Sequence, residues 1–439
     1  MQPTAIMAPA PHGKPQDRGL RRQPALGMVM RQRFPEELAL TLALAVWMLW
    51  SVVVVRLPAA GFHFSTNQLF WLTALPALSA ATLRLFSAFA APLAGGGRYA
   101  AVAIASLLVP ALGLGFAVQD PRTSYEWMVA LALLCGLGGA LGSDLGRGHL
   151  GVAWAQLVVP LAIGAGVFSL PGGVPQPAPS GPMWLQNAGF VWVPLIAIAA
   201  VLAWLRRGDV VHADAGFARQ AVIITRKPTW LMCWLVLGGF GSYIGWSAGV
   251  PLLMQHQFPQ VDLLHFVWLG PLLGALLRPV GGWLADRHGA GRIGLCSFVA
   301  LALAAAAVLH FLPSAEQGGS LPGLLAALAV LFSASGLAMG STFRMIPALF
   351  RSQRQHAADP LPMAQALAIQ QGQVEAAAVC GLAAAIGAYG GFFIPKSFGT
   401  AIALTGSPAA AVKFLIVFYG SCIWLTWWHC ARRRAAMHC

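Results

Sequence analysis

Charge is scarce in this chain, because only 9% of its 439 residues are Asp, Glu, Lys or Arg. A soluble domain of ordinary composition has about a quarter of its residues charged. Hydrophobic residues, in contrast, make up 58% of the sequence. These two proportions exclude a soluble globular protein and predict a polytopic membrane protein.

Acidic residues are scarcer than basic ones, with 13 Asp and Glu against 27 Lys and Arg. Every acid falls in a predicted loop, in the N-terminal stretch or at the end of an apolar run, so no paired carboxylates are expected at membrane depth. The seven cysteines have no CxxC or other metal-ligand spacing and are interpreted as small apolar side chains. The run "GLGGALG" is interpreted as helix-packing glycine and not as a phosphate loop. The sequence therefore predicts no enzyme, no metal and no cofactor.

Long apolar runs fill most of the chain, and twelve of them are predicted to cross a membrane as helices. The predicted spans lie near 37–56, 66–92, 99–118, 125–143, 150–171, 187–205, 230–254, 263–285, 292–312, 322–345, 363–394 and 408–430. A long polar stretch separates the first six spans from the last six. The predicted parts are a disordered tail over 1–33, an N-terminal half over 34–205, a cytoplasmic linker over 206–229 and a C-terminal half over 230–434.

The distribution of basic residues predicts the orientation in the membrane. With the N-terminus inside, 21 of the 27 Lys and Arg fall on the inner side and only four on the outer side. This asymmetry is the positive-inside rule, so the net charge of +14 is assigned to orientation and not to nucleic-acid binding. We expect a multi-pass protein of the cell inner membrane, embedded in the lipid bilayer with both termini in the cytoplasm.

An internal repeat relates the two halves. The segment "ATLRLFSAFAAPLAGGGR" (81–98) aligns without a gap on "ALLRPVGGWLADRHGAGR" (275–292), at an offset of 194 residues. Arg84 then corresponds to Arg278, each in the second span of its half. Two six-helix halves related by a parallel repeat predict an all-α major facilitator fold with its substrate site at the midplane, between the halves.

The two repeat-related arginines point to an anionic substrate. An arginine at the bilayer centre costs about 2.5–3.5 kcal/mol on insertion scales, and the sequence predicts no carboxylate at that depth. Either side chain could instead extend to the inner interface, since a basic residue follows each of them 14 residues on. Because both occupy matched positions before a glycine-rich turn, we favour an anion as the missing counter-charge of Arg84 and Arg278.

Several strings resemble those of the NarK-type nitrate/nitrite porters of the major facilitator superfamily, over nearly the whole chain from about Phe34 to Arg434. They are "GGFGSYIGWSAGVPLLMQHQFP" in the seventh span, "GPLLGALLRPVGGWLADRHGAGR" in the eighth, "GSTFRMIPALF" in the tenth and "GAYGGFFIPKSFG" in the eleventh. The resemblance implies nitrate and nitrite as substrates, gripped by one arginine from each half. It also implies a transporter that works as a monomer and is not an enzyme.

The resemblance also suggests further site residues. Phe240 matches an aromatic that packs over the anion, or is plain core, while Val236 stands where relatives tend to have a tyrosine. His149 stands where relatives have an asparagine, and is either an anion donor or a capping or core residue. Gly340 and Ser341, in the second nitrate-signature segment, imply close helix approach and donors to the anion. A charge latch is expected from three residues after the eighth span: Asp286, Arg287 and Arg292.

One departure from the family pattern concerns the fourth and fifth spans. The first nitrate-signature segment is reduced to "CGLGGA" (135–140), and roughly twenty residues of the family pattern are missing after it. The favoured function is alternating-access transport of nitrate and nitrite, with antiport preferred because no midplane carboxylate is expected to relay protons. The alternatives are a porter of another small oxyanion and a degenerate carrier that binds nitrate as a regulatory protein.

Overall fold

The computed structural model consists almost entirely of helices and describes residues 26–94, 96–141, 148–165, 175–178, 181–205, 223–313, 318–358 and 362–432. Within these ranges twelve helical segments follow one another, as the apolar runs predict. In the N-terminal half they are α1 (Leu26–Trp47 and Leu49–Arg56), α2 (Thr66–Ala94), α3 (Gly96–Ala105 and Leu108–Ala117), α4 (Tyr125–Cys135, continued by the 3-10 turn Gly136–Leu141), α5 (Leu150–Gly164) and α6 (Asn187–Phe190 and Val193–Leu205).

The C-terminal half contains the other six segments. They are α7 (Lys227–Val236 and Ser242–Gln257, joined by the π-helical turn Leu237–Gly241), α8 (Leu269–His288), α9 (Ala290–Phe311), α10 (Leu321–Ala357), α11 (Pro362–Ala388 and Gly390–Thr405) and α12 (Ala409–Thr426, continued by the π-helical turn Trp427–Ala431). A small antiparallel hairpin, Gln176–Ala178 with Gly181–Met183, lies between α5 and α6.

Length and composition fit these helices to a membrane. Among the described residues, eight helices are long and apolar enough to cross one, and α3, α4 and α5 contribute shorter apolar helices. The remaining segment, α8, has 20 residues and carries Arg278, Asp286 and Arg287. The all-α fold of twelve helices in two halves is therefore confirmed, and α8 carries three charged residues, Arg278 among them.

Two predicted spans begin or end at the wrong residue. The eighth was predicted from 263, but residues 263–268 form turns and α8 begins at Leu269, which places Pro271 in the first helical turn, where its missing N–H costs no hydrogen bond. The fifth was predicted to reach 171, but α5 ends at Gly164 and Ala165 is already extended. Glycine is a poor helix former, and the sequence IGAGV interrupts the apolar run at this point.

Two other helices are longer than their predicted spans. The tenth was predicted to end at 345, whereas α10 continues to Ala357, and the eleventh to end at 394, whereas α11 continues to Thr405. The extension of α10 consists largely of polar helix formers, which continue a helix beyond its apolar run, whereas the extension of α11 is itself mainly apolar. Similarly, α1 begins at Leu26, inside the predicted tail 1–33. Most of that tail and of the predicted linker 206–229 lies outside the described residues.

The halves contact each other on the side that the charge distribution predicts to be outer. Arg56, at the end of α1, forms a salt bridge to Asp262 in the turn between α7 and α8. From α11, Lys396 donates a 3.0 Å hydrogen bond to the Asn67 side chain of α2, and its ammonium lies 4.5 Å from the centre of the Trp71 ring. The outer ends of the two halves are thus joined by charged and polar contacts.

Candidate functional site

The position of Arg278 is fixed by glycine packing between α8 and α10. A Cβ on Gly340 would lie 2.1 Å from the carbonyl oxygen of Arg278, and one on Gly336 would lie 2.2 Å from that of Gly274. No side chain fits at such distances, so the two backbones are in direct contact along the turn that carries the arginine. Gly340 therefore has the close-packing role expected of it, and it determines how α8 presents Arg278.

Around the Arg278 side chain the structure brings together two aromatic rings and a histidine. Its Nη1 lies 3.0 Å from Nδ1 of His149, and its guanidinium carbon lies 5.6 Å from the centre of the Phe343 ring. The Phe240 ring meets the His149 ring edge to face, with centroids 5.4 Å apart. Tyr243 completes the group by donating a 2.9 Å hydrogen bond to the backbone oxygen of His149. We call these five residues the Arg278 cluster.

The start of α5 brings His149 into this cluster. His149 immediately precedes α5, which has only 15 residues and so a length of about 22 Å against the ~30 Å of a bilayer core. From Arg278, α8 continues ten residues further toward the side that the charge distribution predicts to be inner, ending at His288. The short helix therefore begins beside the middle of α8, and His149 is 2% exposed there instead of lying at the membrane surface.

Arg84 occupies a corresponding position in the first half. It is 7% exposed, and its guanidinium carbon lies 5.7 Å from the centre of the Trp47 ring of α1. Two residues earlier, the Thr82 hydroxyl lies 3.0 Å from the Tyr389 hydroxyl, at the break in α11. A Cβ on Gly391 would lie 3.6 Å from the same Trp47 ring. Arg84 is therefore buried where α2 of one half meets α11 of the other.

The remnant of the first nitrate signature packs against the helix of Arg84. In the 3-10 turn after α4, a Cβ on Gly139 would lie 2.4 Å from the carbonyl oxygen of Ala80, four residues before Arg84. The second half has the same arrangement, since Gly336 meets Gly274, four residues before Arg278. Each arginine helix is thus approached at the same turn by a glycine from the equivalent helix of its half. The shortened segment preserves this contact.

The other predicted site residues lie away from the Arg278 cluster. Ser341 donates a hydrogen bond within its own helix, to Ala338 at 3.1 Å, and its hydroxyl is directed toward Gly294 of α9. Asp286 forms a salt bridge to Arg344, 3.4 Å long, with both side chains more than half exposed.

Arg287 lies 5.6 Å from the centre of the Trp283 ring, and Arg292 follows in the first turn of α9. The turn between α8 and α9 depends on Gly289, whose φ of 92° is strained for other residues. These two arginines stay at the inner end of the C-terminal half together with the Asp286–Arg344 pair.

Three acidic side chains in the described ranges pair with arginines other than Arg84 and Arg278. Asp262 pairs with Arg56, Asp286 with Arg344, and Glu375 with both Arg226 and Arg354. Asp144, which precedes α5 in the sequence, lies outside the described residues. In the same part of the chain, no three His, Cys, Asp or Glu side chains are grouped so that they could hold a metal ion.

Sequence reasoning missed three aromatic residues of the two arginine environments: Trp47, Tyr243 and Phe343. Tyr243 was the easiest to find, because it is one of only five tyrosines and lies in the glycine-rich run of the seventh span. Its hydroxyl also reaches the carbonyl of Pro271 at 3.2 Å, so it links α5, α7 and α8. Trp47 and Phe343 give no signal in the sequence, since apolar spans contain many such residues.

Comparison with known proteins gives the family. The model of the Major Facilitator Superfamily matches residues 38–358. The chain is 40% identical to the nitrate/nitrite transporter NarU of Salmonella typhimurium over 93% of each chain, and 35% identical to the probable nitrate/nitrite antiporter NarK2 of Thermus thermophilus over 91% of this chain and 92% of that one.

Solved structures agree on the fold. A bacterial homologue of the human lysosomal transporter Spinster superposes with a TM-score of 0.60 at 14% identity, over 90% of this chain and 96% of that one. The nucleoside transporter NupG superposes with a TM-score of 0.59 at 13% identity, over 90% of this chain and 98% of that one. The chain is thus a multi-pass membrane protein that belongs to the major facilitator superfamily and, within it, to the nitrate/nitrite porters.

Proposed function

We propose that this protein transports nitrate and nitrite by alternating access, with Arg84 and Arg278 as the anion-binding groups. The observation that carries the proposal is the pair of repeat-related arginines, each placed by glycine packing beside aromatic rings in the interior of the bundle. A guanidinium offers planar paired donors, which suit a trigonal oxyanion. The 40% identity to a nitrate/nitrite transporter supports nitrate and nitrite as that oxyanion.

The first contact of the anion is assigned to the Arg278 cluster. Phe240 and Phe343 provide apolar faces on which a flat, weakly hydrated anion can lie, while Arg278 supplies charge and donors. Val236 is buried and offers no hydroxyl, so the tyrosine donor that the family pattern suggests is absent at that position. His149 is the ring nearest to the guanidinium and is the additional donor that we assign to the site.

Exchange of nitrate for nitrite is the mode that the charges favour. Two guanidinium groups, buried at Arg84 and half-buried at Arg278, raise the cost of enclosing the empty site, and a bound anion lowers it. An empty carrier would therefore return slowly, while a loaded one would pass through the occluded state. We assign the protein to the inner membrane with both termini in the cytoplasm, on the basis of its positive-inside asymmetry.

Two sets of contacts are assigned to gating. At the outer side, Arg56–Asp262 and Lys396–Asn67 hold the halves together. Deeper in the bundle, Gln156 of α5 donates a 2.6 Å hydrogen bond to the backbone oxygen of Ser247 in α7. These contacts would have to break when the site opens outward. Three residues at the inner end are assigned the opposite role, as a latch in the outward-open state: Asp286, Arg287 and Arg292.

A second candidate function is a carrier that binds nitrate but does not complete the cycle, acting as a regulatory protein. The short α4–α5 pair favours it, because a helix that begins beside Arg278 could hinder the relative motion of the halves. A third candidate is transport of another small oxyanion, such as formate or bicarbonate, by the same arginines.

Counterflow separates these candidates. Purified protein in proteoliposomes is given labelled nitrate outside, with nitrite, formate or only buffer inside. We expect nitrate entry that requires internal nitrite and is not supported by internal formate. Saturable nitrate binding without entry under any condition would replace the transport proposal by the regulatory one. Equal entry with formate would assign the site to small oxyanions in general.

A further inference from the structure

The contact between His149 and Arg278 defines the protonation state of the histidine in this structure. A guanidinium group has only N–H donors, so the Nδ1 atom 3.0 Å away must act as the acceptor. An imidazole that accepts at Nδ1 carries its single proton on Nε2 and is neutral. In this arrangement Arg278 therefore donates to a neutral, buried His149.

An anion at Arg278 would change which form of His149 is favoured, from the neutral to the protonated imidazole. Without an anion, a proton added to His149 would place a second positive charge about 3 Å from the guanidinium, at low dielectric. With nitrate or nitrite bound to Arg278, the added proton meets a compensated site and can be donated to an oxygen of the anion. Histidine is the side chain that most often serves as a proton carrier near neutral pH.

We propose that His149 is a proton-binding site coupled to anion binding, so that nitrate or nitrite is carried together with one proton on His149. This inference rests on the proposed function. The coupling is reciprocal, because a ligand that favours protonation of a group is itself bound more tightly when that group is protonated. The proton comes from water on the side to which the site is open and returns to water when the anion leaves.

The charged and titratable groups that face His149 are few in the described parts of the helices packed on α5. Arg278 faces it from α8 and Tyr243 from α7. On α1, Glu37 lies one turn before Thr41, whose carbonyl oxygen would be 2.0 Å from a Cβ on Gly151. The helix α5 itself contains no charged residue. Asp144 and Arg147 precede His149 in the sequence and lie outside the described residues. A variant of Asp144 is therefore included among the controls.

The coupling gives the exchange cycle a dependence on pH at each membrane face. Exchange of one anion–proton pair for another moves no net charge and no net proton. The face with the lower pH binds the anion more tightly, because more of its sites carry the His149 proton. An acidic outer medium would therefore favour capture of nitrate from outside.

The test measures proton uptake by the purified, full-length protein. Nitrate is titrated calorimetrically near pH 7 in two buffers of different ionisation enthalpy, and its Kd is followed from pH 5.5 to 8.5. We expect uptake approaching one proton per nitrate at pH values between the pKa of His149 in the empty and in the nitrate-bound protein, with Kd rising by up to about tenfold per pH unit there. His149→Asn, whose amide oxygen can still accept from Arg278, should bind nitrate with no uptake and a Kd independent of pH.

Matched variants identify the group that takes up the proton. His310→Asn, at the exposed outer end of α9, and Asp144→Asn should keep the uptake of the unmodified protein. His149→Gln serves in place of His149→Asn if the latter does not fold. Nitrate binding without proton uptake, or uptake that persists in the His149 variants, would overturn the coupling and leave the proposed function intact. No nitrate binding at any pH would overturn both.

Discussion

The fourth and fifth helices of the first half and their equivalents in the second half, α10 and α11, differ more than any other matched pair in the described chain. Before its 3-10 turn α4 has 11 residues, and α5 has 15, whereas α10 has 37 and the first piece of α11 has 27. Both pairs still place a glycine against the turn before an arginine, through Gly139 in one half and Gly336 in the other. The helix packing that positions the arginines is therefore separable from the length of the helices that provide it.

Helix length decides where each pair of helices ends. The long pair ends on the side that the charge distribution predicts to be inner, where Glu375 of α11 pairs with Arg354 of α10 and with Arg226. The short pair ends inside the bundle, which puts His149 against Arg278 instead of leaving it at the surface. The short pair thus brings a histidine into the candidate site while keeping the glycine contact of its half.

The largest effects are expected from alanine at the two glycines that contact the arginine helices. Gly340→Ala introduces a Cβ 2.1 Å from a carbonyl oxygen, and Gly139→Ala introduces one at 2.4 Å, so in each case the helices must separate. Each substitution should cost about 1–3 kcal/mol of stability, as overpacking usually does. Thermal unfolding in detergent measures the loss.

Gly420→Ala is the matched control for both glycines, because a Cβ on this glycine of α12 has no neighbour within 4 Å. It should leave stability unchanged or raise it slightly. If Gly139→Ala behaved like this control while Gly340→Ala destabilised the protein, the glycine contact of the short pair would not be structural, and the equivalence of the two halves would fail.

An intermediate effect is expected at the outer contact, which lies far from both helix pairs. Asp262→Asn removes the salt bridge to Arg56 and should shift the conformational equilibrium toward the outward-open form by a few-fold, since exposed pairs contribute up to about 1 kcal/mol. Accessibility of a cysteine probe introduced at Ser247, beneath the outer contacts, reports the shift. Unchanged accessibility would mean that this pair does not hold the outer side closed.

The Arg56–Asp262 salt bridge also serves as a control for the pH dependence that we expect from His149. Burial raises the pKa of Asp262, but the hydrogen bond and charge of Arg56 outweigh burial and hold the pKa below its usual range. The contribution of the pair is therefore present above the ordinary carboxyl pKa of about 3.9 and is lost only as pH falls below it. Between pH 5 and 8, Asp262→Asn should leave the pH profile of nitrate binding unchanged, in contrast to His149→Asn.

The smallest effect is expected at the inner end of the long pair. Glu375→Gln removes the partner of Arg354 and Arg226, whose side chains are 35% and 27% exposed, so the stability loss should be below about 1 kcal/mol. The end of the helix around Arg351 and Arg354 should become more sensitive to trypsin. The rate of nitrate–nitrite exchange should stay within twofold of that of the unmodified protein. A large loss of exchange would show that the long extension takes part in the transport cycle.

Most of the fold could be predicted because lipid imposes simple rules on sequence. Apolar runs, the positive-inside asymmetry and the 81–98 repeat gave twelve helices in two halves and pointed to Arg84 and Arg278. The helix ends were less predictable. Nothing in the apolarity of the chain indicates that α10 continues through Arg351 to Ala357, because helices in water follow propensity and partners and not hydropathy.

The composition of the candidate site was only partly predictable. His149 could be singled out by its position, but its contact with Arg278 follows from where α5 begins, which the apolar pattern does not indicate. Ser341 lies in a signature segment and yet its hydroxyl is directed toward α9, because a helix presents neighbouring residues to different partners. Motifs therefore identify segments, and the packing decides which side chains of a segment reach the site.

The most direct test of the central claim compares nitrate–nitrite exchange in Arg84→Lys, Arg278→Lys and the surface control Arg351→Lys. Lysine keeps the positive charge but loses the planar pair of donors, so Arg84→Lys and Arg278→Lys should each lower exchange at least about tenfold, equivalent to about 1.4 kcal/mol. Arg351→Lys, on an exposed side chain, should stay within twofold of the unmodified protein. Exchange that is unaltered in both Arg84→Lys and Arg278→Lys would contradict the assignment of the two arginines as the anion-binding groups.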